Sequence, residues 1–221
     1  MAAAGEEQPL GGVLPVAAAV KIPPEPPEVG AQTLSIAARL LAGATTFFFM
    51  AFVFAYFYLR SLNQDHMWRP AHVKPDQGLG AVFAACLALS VLATILAGRL
   101  MKRETRSWLT PAAIGLALGL AAIAVQCIEY TVQDFGPTNG AFASVFCVWS
   151  AFYLIAALCT MYWLETPIAT ELRARRAPAG SEGDVQDPDR LIAPGLYAAV
   201  FYWSYLGAIG VLTYVILYPL Q

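Results

Sequence analysis

The sequence predicts an all-α, polytopic membrane protein: five transmembrane helices in a bundle. Three observations predict it. Five apolar stretches, at residues 36–59, 78–98, 107–131, 141–164 and 192–219, fill most of the 221 residues. Each matches the ~20 helical residues that a ~30 Å hydrocarbon core requires, and a helix satisfies its own backbone groups where water is absent. With 58% hydrophobic and 13% charged residues, too little polar material remains for a separate soluble domain.

Residues 1–33 read as a flexible, proline-rich arm preceding a domain at 34–221. Pro23, Pro24, Pro26 and Pro27 stand among Glu25 and Glu28, a composition that resists helix and buries no core. Glu6 and Glu7 occupy the place of the basic region of a cleaved signal peptide, which argues against one. The first span is aromatic around most of its circumference, with Phe47, Phe48, Phe49, Phe52, Phe54, Tyr56, Phe57 and Tyr58. It should present rings to lipid or to a large neighbour. Trp68, Trp108, Tyr162 and Trp163 sit near span ends and read as interfacial anchors.

The second span carries a stripe of small residues, Gly78, Ala81, Ala85 and Ala88, and is expected to pack through it. In the third, Pro111 falls in the first turn, where proline is tolerated. Gly115, Gly119, Ala122, Gln126 and Glu129 then follow in steps of four, three, four and three, which places them on one face. The small residues should let a neighbouring backbone approach. Glu129 is the one carboxylate plausibly inside a span, and a structural polar contact with Gln126 is its expected role; ionisable groups at such positions also serve as proton or ion sites. Residues 173–190, with Pro178, Gly180 and Gly183, read as a flexible loop before the fifth span.

Charge sets the expected orientation. With the N-terminus cytoplasmic, the inner side holds Lys21, Arg39, Arg99, Lys102, Arg103, Arg106, Arg173, Arg175, Arg176 and Arg190. The outer side holds only Arg60, Arg69 and Lys74, an asymmetry in the sense of the positive-inside rule. Five spans then put Gln221 outside.

Catalytic signatures are missing from the sequence. There is no P-loop, dinucleotide fingerprint or nucleophile elbow, and no basic, aromatic-interleaved patch for nucleic acid. His66 and His72 are the only histidines. With Asp65 and Asp76 they could coordinate a metal in the loop after the first span, but no pair has a usual ligand spacing. Because no span contains histidine, bis-histidine haem ligation from within the spans is excluded. Cys86, Cys127, Cys147 and Cys159 all lie in apolar stretches, form no C-x-x-C pair, and read as buried thiols.

Several motifs occur together in order. The first span and its exit read TTFFFMAFVFAYFYLRSL, then Trp68-Arg69-Pro70. The third span ends Gln126-Cys127-Ile128-Glu129-Tyr130, the fourth opens through Gly140 to Phe146 and on to Phe152, and the fifth holds Phe201-Tyr202-Trp203. In this order and spacing the chain, over about residues 34–221, resembles subunit III of haem–copper oxidases in its short five-helix bacterial form. The third-span motif is similar to that family's glutamine–x–x–glutamate–tyrosine signature. The resemblance implies a non-catalytic subunit III of a cytochrome c oxidase in the bacterial plasma membrane, working in aerobic electron transport. It would pack on subunit I, with subunit II and other respiratory subunits nearby. Haem and copper would reside in those partners, phospholipid would be bound, and proton uptake and turnover stability would be supported. The chain departs from the family where Thr46 stands for a glutamate, Tyr153 and Ala156 for two histidines, and Ser204 and Gly207 for a histidine and an aspartate. A subunit III-like accessory protein of a nitric oxide reductase or quinol oxidase is the alternative within the same fold. A small transporter is the alternative outside it, but no proline breaks a span centre and five spans do not divide into equal repeats.

Overall fold

The computed structural model describes residues 26–63, 68–103, 106–176 and 189–220. Five long helices account for most of them: α1 Pro27–Ser61, α2 Gln77–Lys102, α3 Leu109–Val132, α4 Ala141–Arg176 and α5 Asp189–Leu217. A short 3-10 turn, Arg106–Trp108, leads into α3. All five are long and apolar enough to span a bilayer, and the protein is a multi-pass membrane protein.

The helix ends differ from the sequence expectation for local reasons. Helix α1 starts at Pro27, within the segment read as an arm, because proline at a first helical position has no N–H to lose and a preset φ. Residues 1–25 of that arm lie outside the described residues. Helix α4 runs to Arg176, twelve residues past the expected end at 164 and into the expected loop. Its 36 residues span about 54 Å at 1.5 Å per residue, more than a hydrocarbon core. The polar last turns, with Glu171 paired to Arg175 at 2.6 Å, therefore project beyond it. Pro167 lies inside α4, buried, where it removes one intrahelical hydrogen bond. Asp76 caps α2 by accepting from the Gly78 and Leu79 amides at 2.7 and 3.0 Å. Gly140, at φ 126°, makes the turn into α4 that a side chain would strain.

Helix α5 packs against α1, α2 and α4, while α3 packs against α2 and α4. The closest pairing is α2 with α3. A Cβ on Gly115 would stand 2.5 Å from the Thr94 methyl and 3.1 Å from the Ser90 carbonyl oxygen, so the two backbones meet there. Gly119 in turn leaves room for Met161 of α4. Ser90 Oγ donates to the Gly115 carbonyl at 2.6 Å and accepts from Trp203 Nε1 at 3.0 Å, tying α2, α3 and α5 at one buried point.

Two expected faces are corrected. The stripe Gly78, Ala81, Ala85 and Ala88 faces outward; α2 packs through Gly80, Phe83, Leu87, Ser90, Thr94 and Ala97. Trp68 and Trp108 are buried in the bundle instead of anchoring its rim, whereas Tyr162 does face outward. The aromatic ring of α1 splits as well. Phe49 and Tyr56 point into the core, Phe52 stacks on Trp149 at 5.9 Å, and Phe47 and Phe54 face out. In a bilayer an outward apolar face costs nothing, so hydrophobicity alone does not mark the packed side.

Candidate functional site

A buried polar cluster lies at the end of the bundle that carries the α1–α2 and α3–α4 connections. The last turns of α3 put Gln126 and Glu129 one turn apart on the face it packs with, at 4% and 1% exposure. Gln126 Nε2 donates to Glu129 Oε2 at 2.9 Å. The Tyr218 hydroxyl, just past α5, donates to the same oxygen at 2.5 Å. Tyr218 reaches this point because Gly80 has no side chain: a Cβ there would fall within its ring. The ring also packs edge-on against Phe146, and Gln77 Nε2 donates to the Tyr218 carbonyl at 2.9 Å.

Tyr130, next in the chain, serves the opposite neighbour. Its hydroxyl donates to Ser150 Oγ at 2.7 Å, and Ser150 Oγ approaches the Phe146 carbonyl of its own helix. Gln126, Glu129 and Tyr130 thus connect α3 to the end of α5 and to α4. The expected Gln126–Glu129 contact is present, and Gly115, Gly119 and Ala122 lie buried on the same face. The sequence reading named Tyr130 only as part of the third-span motif and did not assign Tyr218, Ser150 or the Ser90–Trp203 pair. Tyr218 is separated from Glu129 by 89 positions, and no spacing rule connects them.

The surrounding segments are fastened to this end. Phe142 N donates to the Trp68 carbonyl at 3.0 Å, and the Arg69 guanidinium lies over the Phe142 ring, 5.2 Å from its centre. Arg60 Nη1 donates to the Leu220 carbonyl at 2.5 Å, with Tyr56 OH on the same oxygen at 3.3 Å. These bonds satisfy a carbonyl that the end of α5 cannot pair internally.

Beside the cluster opens a polar pocket of about 250 Å³, lined by His72, Lys74, Asp76, Glu129, Gln133 and Asp134 among others. Two buried acceptors at this pocket, Glu129 Oε1 and Gln133 Oε1, have no hydrogen-bond partner among the described residues. Of the expected loop ligands, His72 is exposed at the pocket and Asp76 is used as a helix cap. Asp65 and His66 lie outside the described residues. Among the described residues no three His, Cys, Asp or Glu side chains are grouped to hold a metal. Cys127 and Cys159 face outward, and Cys86 and Cys147 are half-buried.

The positions at which the chain departs from the resembled family are occupied in their own way. Thr46 Oγ1 pairs with Tyr205 OH at 2.7 Å, and Tyr153 OH donates to the Leu206 carbonyl at 3.2 Å. Ser204 bonds back to the Val200 carbonyl at 2.7 Å. Gly207 makes room for Val91 of α2. Ala156 lines an apolar groove of about 350 Å³ between α1, α4 and α5, together with Phe48, Phe152, Trp163 and Tyr202. These side chains join α5 to α1, α2 and α4 through neutral contacts. No protein-family model matches the chain, and no curated protein matches it significantly.

Proposed function

We propose that this chain is a non-catalytic, subunit III-like component of a terminal haem–copper oxidase, in the plasma membrane of a bacterium. One observation carries the reading. The three residues that resemble the family signature, Gln126, Glu129 and Tyr130, act together as a tie between helices, donating or accepting at Tyr218 and Ser150. That is the behaviour of a scaffold whose polar groups hold a bundle together. The groove between α1, α4 and α5 has the apolar walls an acyl chain needs, which supports bound phospholipid. The outward aromatic face of α1, with Phe47 and Phe54, offers a surface for subunit I within the bilayer.

In this reading electron transfer and oxygen reduction occur on haem and copper held by partner subunits. The chain supplies packing, lipid retention and support of proton uptake during turnover. Its N-terminus is cytoplasmic and its C-terminus outside, as the arginine and lysine distribution favours. Purification of the chain from its native membrane in mild detergent tests the proposal. A haem-bearing oxidase should accompany it, with subunits I and II; a haem-bearing nitric oxide reductase would move the chain to the accessory reading, and a colourless, self-sufficient protein would exclude both.

A further inference from the structure

We infer that Glu129 is a proton-exchanging acid, reached from one side of the membrane only, through the polar pocket at its end of the bundle. The inference stands apart from the oxidase reading, since it uses only the geometry of the cluster. Gln126 Nε2 and Tyr218 OH both donate to Oε2, and the Asp76 backbone amide lies near the same carboxyl. Oε1 is buried and has no partner among the described residues, and Gln133 Oε1, of the same pocket lining, is a second such acceptor. A buried carboxylate oxygen with no donor is costly. A proton on Glu129 Oε1 relieves that cost, because the neutral acid becomes a donor to water in the pocket.

The pocket is suited to carry that proton. Its 250 Å³ has room for several waters at about 30 Å³ each, and its polar lining supplies them with partners. Every element around Glu129 contributes a group that bears on the site. His72 and Lys74 come from the α1–α2 connection and Asp76 from the start of α2. Tyr130 belongs to α3 itself, Asp134 follows it, Tyr218 follows α5, and Cys147 of α4 lies behind Gln133. Among the described residues lining the pocket, Lys74 is the one fixed cation, beside the carboxylates Asp76 and Asp134. On release the Glu129 O–H bond breaks, its electron pair stays on the carboxylate, and the proton passes to pocket water. Toward the other side of the membrane the same face of α3 continues as Gln126, Ala122, Gly119 and Gly115, which contain no titratable group. The face of α3 beyond Gln126 thus offers no onward acid, and the site loads and unloads through the pocket.

Infrared titration of the full chain in lipid nanodiscs, with glutamate carbon-13 labelled at the side-chain carboxyl, tests this. Near neutral pH the spectrum should contain a protonated-carboxyl carbonyl stretch that moves with the label, shifts on transfer to D2O, and disappears in Glu129→Gln. Two substitutions at exposed pocket positions keep the test independent of whether that variant folds. Asp134→Asn removes a negative charge that favours the proton, so the titration midpoint should move to lower pH. Lys74→Gln removes a positive charge that opposes it, so the midpoint should move to higher pH. Absence of the band at neutral pH, a band that resists deuteration, or a midpoint unmoved by both substitutions would overturn the inference.

Discussion

Replacing Tyr218 by phenylalanine removes one hydroxyl and keeps the ring that fills the space at Gly80 and packs on Phe146. What is lost is the 2.5 Å bond to Glu129 Oε2, in a cluster where Glu129 is 1% and Tyr218 3% exposed. A hydrogen bond between neutral groups is worth about 0.5–1.5 kcal/mol net, and one to a charged group about 1.5–3. Interhelical polar bonds within membranes average lower, about 0.6 kcal/mol. Gln126 continues to donate to the same oxygen after the substitution. The expected cost of Tyr218→Phe is therefore about 0.5–1.5 kcal/mol. In a Glu129→Leu background the same hydroxyl has lost its acceptor, so Tyr218→Phe should there be neutral or stabilising. The coupling energy between the two positions is then about 0.5–1.5 kcal/mol. Reversible unfolding in bicelles, read by steric trapping at the ends of α3 and α5, measures all four corners of this cycle. Equal costs of Tyr218→Phe in both backgrounds, within the about 0.3–0.5 kcal/mol expected of independent sites, would refute the reasoning that this bond ties the end of α5 to α3.

Two further outcomes are expected. Gly115→Val should force α2 and α3 apart, because even its Cβ would stand 3.1 Å from the Ser90 carbonyl oxygen; overpacking costs of about 1–3 kcal/mol should appear in the same unfolding assay. Gly43→Val, at a position with nothing within 4 Å, serves as the tolerant control. For orientation, single cysteines at positions 74 and 175 in a cysteine-free background should differ in intact cells: a membrane-impermeant maleimide should label position 74 and leave position 175 unreacted. The reverse pattern would invert the proposed topology.

Span number and position were legible because they follow from backbone hydrogen bonding in lipid, which any run of apolar residues reveals; the polar extensions of α1 to Pro27 and of α4 to Arg176 were not, since they lie outside the apolar runs. The packed face of α3 was legible too, since Gln126 and Glu129 interrupt an otherwise apolar helix and mark its inward side. In α2 no such marker stands out. Its outward stripe of Gly78, Ala81, Ala85 and Ala88 is as small and apolar as a packing face, and the buried Ser90 and Thr94 are too weakly polar to break the tie. Trp68 and Trp108 illustrate the same ambiguity, because a tryptophan near a span end serves equally at the lipid interface or inside the bundle. Half of the polar cluster was hidden for another reason. Tyr218 and Ser150 meet α3 only through tertiary packing, and their partners lie 89 and 20 positions away. The unpartnered Oε1 of Glu129 and the pocket beside it belong to that same tertiary level and leave no trace in the order of residues.

The central functional claim is that this chain works as part of a haem–copper oxidase. Mild-detergent purification of the tagged chain from its own membrane, followed by a reduced-minus-oxidised optical spectrum and oxygen-uptake measurement on the eluate, tests it most directly. The account predicts haem bands, oxygen uptake and a stoichiometric catalytic subunit in that eluate. An eluate that stays colourless and inactive in the mildest detergents that still extract the chain would contradict it.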